Sequence, residues 1–284
     1  MGFKDILVAA DGAASARGRI GVAAGLAQRF DAHLVGLHTV LTAGSMRDRG
    51  YFDVFDRSIL DPLYHEFGET MRSEAERARQ LFEETASRFG VSAEWRLTSG
   101  YPTDSAALHG RYADLIVLGQ LDPDDRQAPL FRPQPEEVAL AVGRPILVVP
   151  YAGTWNTIGR RVLIGWDASR EATRAINDAM PLLSAAESVT VLAIDPESNP
   201  VRHGDMPGAD IALHLARHGV KATIESTVSA GIGIGNALLS RASDLSADLL
   251  VIGAYGHSRL RELVLGGATR TVIASMTLPV LMSH

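Results

Sequence analysis

Short apolar runs alternate along the chain with longer stretches in which apolar and polar residues recur at helical spacing. In the second half the apolar runs are Arg161–Trp166, Ser188–Ile194, Ala222–Val228, Asp248–Gly253 and Pro279–Ser283. Between them, residues 169–186 and 235–247 carry apolar residues three and four apart, as amphipathic helices do. Runs such as LIVLG and LLVIG are apolar on both faces, which is typical of parallel strands covered by helices on each side. The pattern therefore predicts an α/β fold, a doubly wound and mainly parallel sheet with right-handed crossovers.

Capping signals and charge spacing sharpen two of the predicted helices. Ser169 is a good N-cap residue and Glu171 lies in the first turn that follows it. In the first half, residues 66–90 predict a long amphipathic helix with Glu and Arg four apart on its exposed face. Residues 41–64 carry aromatic side chains without a clear period, so we expect a loop or a short helix there.

The sequence contains an internal repeat, in which the second half resembles the first. At an offset of 134 residues, Ala113–Gln120 matches Ala247–Ala254, and Arg144–Pro150 matches Leu278–His284. The segment Asp5–Gly18 likewise resembles Arg161–Arg174, and each places an aspartate, Asp11 or Asp167, after a short apolar run. Gly, Thr and Asn in residues 150–160 are typical of a linker. We therefore predict two domains, residues 1–150 and 158–284, each a five-stranded sheet with helices on both faces.

Composition narrows the classes of function. A chain of 284 residues is long enough for two domains of ordinary size, and its net charge of −6 argues against nucleic acid as the main partner. The absence of cysteine excludes disulfides, thiolate metal sites and cysteine nucleophiles. His214 and His218 have the spacing of neighbours on a helix, but no third ligand is evident, so no metal site is expected. Without a secretory signal or a membrane span, we expect a soluble cytoplasmic protein.

Glycines after the apolar run that ends at Gly253 are the clearest candidate site. Gly256 follows after two further residues, and Gly266 and Gly267 precede a predicted helix that starts with Ala268 and Thr269. Such a pair leaves free N–H groups at the positive end of a helix dipole, where an anion binds well. His257 and Ser258 lie inside the loop and could approach a phosphate. The alternative is a purely structural connection between a strand and a helix, and spacing alone leaves both open.

A family resemblance bears on that choice. The spacing of Gly253, Gly256 and Gly266 and the opening segment LIGWDAS resemble the universal stress protein family of the UspA type, and the whole chain is similar to its tandem members. The resemblance implies an adenine nucleotide alpha hydrolase-like fold. It also implies an ATP or other adenine nucleotide site in the second half, with adenosine near Asp167, Val191 and Ala193. The phosphates would meet Gly253, Gly256, Gly266, Gly267, Ala268 and Thr269, and Mg²⁺ could accompany them, held mostly by phosphate oxygens and water.

Two departures from the family pattern qualify that expectation. Gly267 stands where the family has Ser or Thr, which removes one hydroxyl contact to phosphate, although Ser258 could compensate. In the first half the loop after LIVLG has carboxylates where phosphates would lie, and prolines that lack N–H groups. These residues are Asp122, Asp124, Asp125, Pro133 and Pro135. We therefore expect residues 1–150 to be a degenerate domain that does not bind ATP in the family manner.

Catalytic motifs are missing from the sequence. It has no P-loop, no nucleophile elbow and no lysine in the glycine loop to stabilise a transferring phosphoryl group. We expect a non-catalytic, regulatory nucleotide-binding stress protein. The alternatives are a ligand-free interaction scaffold and a slow ATPase. The apolar last strand of each half needs a partner, so we expect the halves to pair as an internal pseudo-dimer, and a further homodimer stays open.

Overall fold

The computed structural model describes residues 2–13, 15–41, 57–124, 132–198, 206–255 and 267–284, with the backbone alone for residues 57–69. The chain divides into two compact units, Phe3–Val142 and Gly143–His284. None of the helices in the described ranges is both long and apolar enough to cross a bilayer.

The unit Phe3–Val142 alternates strands with helices. In chain order its elements are β1 (Asp5–Ala9), α1 (Ala16–Phe30), β2 (His33–Val40), α2 (Arg57–Phe89), β3 (Ala93–Ser99), α3 (Pro102–Gly110), β4 (Leu115–Gly119) and α4 (Pro135–Val142). The strands lie in the order β3-β2-β1-β4 and pair in parallel, with Ile6 opposite both Leu34 and Leu115. Since the chain moves one way from β1 to β3 and then returns past β1 to β4, right-handed crossovers place α3 on the face opposite α1. The predicted doubly wound sheet is confirmed.

The unit Gly143–His284 repeats that arrangement. In chain order its elements are β5 (Ile146–Val149), β6 (Arg161–Gly165), α5 (Arg170–Leu183), β7 (Ser188–Ile194), α6 (Ala209–Arg217), β8 (Ala222–Thr227), α7 (Ile234–Asp244), β9 (Leu249–Gly253), α8 (Ala268–Ser275) and β10 (Val280–Ser283). The strands β8-β7-β6-β9-β10 are parallel. In both units the strand order therefore reverses beside the first strand of the repeat. In α/β sheets of this kind, ligands bind at the carboxyl ends of the strands at that reversal.

Strand β5 lies with the second unit although it precedes the linker in sequence. It pairs antiparallel with β10, with Leu147 opposite Leu281, and all four of its side chains are buried. Each half of the chain supplies five strands, but the units contain four and six, because β5 extends the sheet that ends in β10. The two apolar last strands are thus paired with one another.

Local predictions from the sequence hold closely in the second half and less well in residues 41–64. The predicted strands of the second half match the observed ones to within a residue at each end. The long helix begins at Arg57 rather than Glu66, so it includes Pro62, which lacks a backbone N–H and is unusual inside a helix. The prediction of a loop or short helix was therefore wrong for residues 57–64. Its remainder, residues 42–56, lies outside the described residues.

Candidate functional site

The carboxyl ends of β6 and β9 bring two of the predicted site residues to one edge of the second unit. Ile164 of β6 is opposite Val251 of β9, so the segments leaving both strands start at the same level of the sheet. Asp167 follows β6 and Gly253 ends β9. This is the edge at which the strand order reverses, the place where a ligand is expected in a doubly wound sheet.

Asp167 begins a compact turn that leads into α5. Its Oδ1 accepts a hydrogen bond from the N–H of Ser169 at 3.0 Å, and Ala168 has a left-handed φ of 55°. The side chain of Ser169 then accepts from the N–H of Ala172 at 3.1 Å, which confirms it as the N-cap of α5. The side chain of Asp167 is therefore held by the backbone just before α5.

Gly253 has a structural reason to be glycine. A Cβ at this position would lie 2.5 Å from the N atom of Ala172 and 2.7 Å from the carbonyl carbon of Glu171. Real Cβ atoms do not approach backbone that closely, so the first turn of α5 packs against β9 only because Gly253 lacks a side chain. Of the two interpretations of the motif glycines, the architectural one is sufficient for Gly253.

The start of α8 presents the donors that an anion site needs. Gly267 is its N-cap residue, with φ −56° and ψ 152°, and it has no side chain to accept from the N–H groups of the first turn. Those groups belong to Ala268 and Thr269, both predicted to meet phosphate. The side chain of Thr269 is buried, and its Oγ1 lies 3.4 Å from the N atom of Tyr255, which donates to it. The residues present fit an anion here through backbone donors.

Four predicted site residues, Gly256, His257, Ser258 and Gly266, lie outside the described residues. Val191 and Ala193 are inside the sheet, with side chains almost wholly buried in β7. A ligand at the carboxyl edge of the sheet would therefore meet the backbone of β7 and the residues that follow it. No group of three or more His, Asp or Glu side chains that could hold a metal ion occurs within the described ranges.

Asp195 is a residue at this edge that the sequence analysis missed. It follows β7 directly, has a left-handed φ of 50°, and accepts a hydrogen bond from the N–H of Ser229 at 2.9 Å. Hydrogen bonds from the side chain and the backbone N–H of Ser229 lower the pKa of Asp195. An acidic residue directly after a strand, at the same level as Asp167, is the signal that could have identified it.

The equivalent edge of the first unit is closed by an ion triad. Asp11 is 6% exposed, and its Oδ2 lies 2.9 Å from Nη2 of Arg19 and 3.4 Å from Nε of Arg132. Arg19 also donates from Nε to the carbonyl oxygen of Ala9 at 2.7 Å. Burial by itself would raise the pKa of Asp11, but the two guanidiniums and the N–H of Ala13 outweigh it and lower the pKa.

A small cavity lies among the described residues at this edge of the first unit. It is lined by Asp11, His38, Thr39 and Pro133 among others and measures about 20 Å³, which is room for about one water molecule. In the loop after β4, Asp122 accepts a hydrogen bond from the N–H of Asp124 at 2.9 Å and so stabilises its own turn. The triad fills the position that corresponds to the candidate site of the second unit.

The sequence carries a signal for both arginines of this triad. At the 134-residue offset, Arg132 corresponds to Gly266, so a long cation replaces a motif glycine. Arg19 corresponds to the buried Ala175 when Asp11 is aligned with Asp167, which marks it as an unusual charge on the buried side of α1. The meeting of the two on Asp11 needs the fold, since neither is near the other in sequence.

Comparisons with known proteins agree with this architecture. Residues 159–284 match the model of the universal stress protein family. A universal stress protein of Synechocystis sp. is 28% identical over 171 residues, which are 59% of this chain and 57% of that protein, so the chain spans little more than half of this relative.

Solved structures resemble the chain over nearly its full length. The crystal structure of a universal stress protein from Archaeoglobus fulgidus has a TM-score of 0.74 and 14% identity, and the match covers 98% of this chain and 95% of that one. A putative universal stress protein from Pseudomonas aeruginosa has a TM-score of 0.56 and 17% identity, with 99% and 93% covered. At such identities these structures show the fold. In sequence, residues 159–284 are the part of the chain that is similar to the universal stress protein family.

Proposed function

We propose that the second unit binds one adenine nucleotide at the carboxyl ends of β6, β7 and β9, and that the first unit binds none. The observation that carries this proposal is the contrast between the two edges. The edge of the second unit has the N-terminus of α8, with backbone donors and no side-chain cap. The edge of the first unit has Asp11 paired with two arginines. The similarity of residues 159–284 to the universal stress protein family and the intact spacing of Gly253, Gly256 and Gly266 support the same assignment.

In this proposal each group has a physical role. The N–H groups of Ala268 and Thr269, at the positive end of the α8 dipole, hold the phosphates, and the loop glycines let backbone approach them. Asp167 and the backbone after β7 receive the nucleoside. Mg²⁺ would be held by phosphate oxygens and water, because the described residues offer it no cluster of ligands.

Binding without chemistry is the activity we propose. The described part of the candidate site has no lysine, and no histidine or carboxylate aligned with a nucleophile. The protein would act in the cytoplasm by changing its surface for a partner when nucleotide is bound. The antiparallel pairing of β5 with β10 supports an internal pseudo-dimer of the two halves, and a homodimer of the chain is a further proposal.

A second candidate, a ligand-free scaffold, is favoured by one specific observation. Gly253 is needed for the packing of α5 on β9, so a glycine at this position of the motif does not by itself require a ligand. Gly267 also lacks the hydroxyl that the family motif has at this position.

The test is to measure nucleotide content and affinity together. Purified protein is denatured, the released nucleotide is quantified by ion-exchange chromatography, and Mg-ATP is titrated calorimetrically into the protein freed of nucleotide. We expect one site per chain. A Gly256→Val variant should lose binding, because a branched side chain keeps the loop backbone away from phosphate.

The matched control is Asp122→Val, which makes the corresponding change in the first unit and should leave binding unaltered. Two nucleotides per chain would contradict the closed first unit. No binding at millimolar Mg-ATP would reject the nucleotide proposal and favour the scaffold.

A further inference from the structure

One peptide group beyond Gly253 is held on both sides by side chains from other elements. The carbonyl oxygen of Ala254 accepts a hydrogen bond from Nδ1 of His284 at 2.9 Å. The N–H of Tyr255, which belongs to the same peptide group, donates to Oγ1 of Thr269 at 3.4 Å. His284 follows β10 and Thr269 lies in the first turn of α8, so two separate elements fix the plane of this peptide.

The backbone of Tyr255 has an unfavourable conformation. Tyr255 has a φ of 57°, a left-handed conformation that is unfavourable for a residue with a side chain. Such conformations persist where the surroundings over-determine them. The N–H of Ala254 also donates a hydrogen bond to the carbonyl oxygen of Ser283 at 2.8 Å. The last residue of β10 and the His284 that follows it therefore both hold this turn. The turn is the last part of the described chain before Gly256.

The chemistry of the partners fixes the proton on His284. A carbonyl oxygen can only accept, so Nδ1 must carry the hydrogen that it donates to Ala254. The hydroxyl of Thr269 accepts from Tyr255 and therefore keeps its own hydrogen for a different acceptor. Neither interaction depends on a charged imidazole.

The first copy of the sequence repeat lacks both holding side chains. At the 134-residue offset His284 corresponds to Pro150 and Thr269 to Pro135, and proline has neither a side-chain donor nor a hydroxyl. The copy that contains the ion triad is thus also the copy without this pair. The pair accompanies the candidate site and not the fold.

We propose that His284 is a positioning residue of the nucleotide site. Together with Thr269 it holds the peptide between Ala254 and Tyr255 in its left-handed turn, and so sets the direction in which the chain leaves β9 towards Gly256. This inference rests on the proposed function, because its effect is to raise the affinity of the second unit for adenine nucleotide.

The experiment compares His284→Ala with His284→Asn by calorimetric titration of Mg-ATP. The amide nitrogen of asparagine can take the place of Nδ1 and donate to Ala254, whereas alanine cannot. Loss of one neutral hydrogen bond corresponds to about a three- to tenfold loss of affinity. We expect that loss in His284→Ala and recovery towards the wild-type affinity in His284→Asn. The control is His218→Ala, which removes an exposed histidine just after α6 and should leave the affinity for Mg-ATP unchanged.

The outcomes separate this inference from the proposed function. Absence of binding in the wild-type protein rejects the proposed function and this inference with it. Binding in the wild type with equal affinity in His284→Ala overturns the inference alone. An asparagine variant as weak as the alanine variant also overturns it, because a merely structural role of the ring would not be rescued by a smaller hydrogen-bond donor.

Hydrogen exchange gives a second readout that needs no ligand. The amide of Tyr255 should exchange faster in His284→Ala than in the wild type, and slowly again in His284→Asn. Equal exchange in all three proteins would contradict the positioning role.

Discussion

The two units share a strand order but differ at the edge where that order reverses. In the first unit a buried aspartate is paired with two arginines, and a small cavity beside it measures about 20 Å³. In the second unit the corresponding Asp167 accepts a hydrogen bond in the turn before α5, and α8 starts with backbone donors that no side chain caps. The comparison teaches that the same strand order can carry different polar groups at this edge of the sheet.

The replacements at this edge are few and chemically directed. Gly256, Gly266 and Gly267 of the second unit correspond to Asp122, Arg132 and Pro133 of the first. A carboxylate repels phosphate, proline removes an N–H donor, and arginine supplies a cation that binds the protein's own aspartate. The first unit thus has an internal ion pair at the edge that corresponds to the nucleotide site proposed for the second unit.

The largest difference in stability between the units should appear when the corresponding aspartates, Asp11 and Asp167, are replaced. Asp11→Ala leaves the buried guanidinium of Arg19 without its carboxylate, which should cost about 3–5 kcal/mol of the free energy of unfolding. Asp167→Ala removes a hydrogen bond at a more exposed position and should cost about 1–2 kcal/mol. Urea denaturation followed by hydrogen exchange with mass spectrometry resolves the two units. Equal losses would show that the ion triad does not stabilise the first unit.

A methyl group at Gly253 should have the next largest effect. Gly253→Ala places a Cβ against the backbone of Ala172 and Glu171, so α5 must move away from β9, and overpacking of this kind costs about 1–3 kcal/mol. The control is Gly21→Ala in α1, where no atom lies within 4 Å of the new Cβ and alanine favours the helix. Unfolding of both variants in urea measures the difference. A Gly253→Ala protein as stable as the wild type would argue that α5 is not confined by this contact.

Acid should weaken the first unit through Asp11. The folded-state pKa of Asp11 is lowered, so its contribution to stability is complete above the ordinary aspartate pKa of 3.8 and is lost as the pH falls through the folded value. We expect the unfolding free energy of the first unit to fall more steeply below about pH 4 in the wild type than in Asp11→Asn. Trp95, left as the only tryptophan by Trp155→Phe and Trp166→Phe, reports on this unit. Parallel slopes would contradict the assignment.

The smallest effect concerns the caps of the corresponding helices. Ser169→Ala removes the side-chain acceptor that caps α5 and should cost about 1 kcal/mol. Ser15 occupies the N-cap position of α1 without a side-chain cap bond, so Ser15→Ala should change stability by only about a few tenths of that. Thermal unfolding of the two single variants is sufficient. A larger loss in Ser15→Ala would reverse this part of the comparison.

Much of this architecture was predictable because its signals are local. The apolar runs predicted the strands of the second half, Ser169 predicted the start of α5, and the repeat predicted a second copy of the fold. The ion triad was not predictable in the same way, since it joins Asp11, Arg19 and Arg132 from three separate segments. The role of Gly253 in packing also depends on how closely α5 approaches β9, a distance that no spacing of glycines reveals.

The residues of the candidate site likewise differ in how far the sequence alone predicted their positions. Gly267, Ala268 and Thr269 were placed correctly at the start of a helix by their composition. Val191 and Ala193 were expected near the adenosine from a family resemblance. Their side chains are buried, because β7 is covered on both faces and has no exposed alternate positions there. The contact of His284 with the carbonyl oxygen of Ala254, the residue after β9, could not be predicted from the sequence, since it depends on how the strands pair.

The pairing of β5 with β10 has a consequence for how the chain folds. During synthesis Ile146–Val149 emerges before every other strand of the second unit, yet its antiparallel partner β10 is the last strand of that unit. Contacts between residues so distant in sequence form slowly, and until they form an apolar strand presents an open edge. Completion of the second unit is thus tied to a segment translated with the first, and a fragment consisting of residues 159–284 would leave that edge of β10 uncovered.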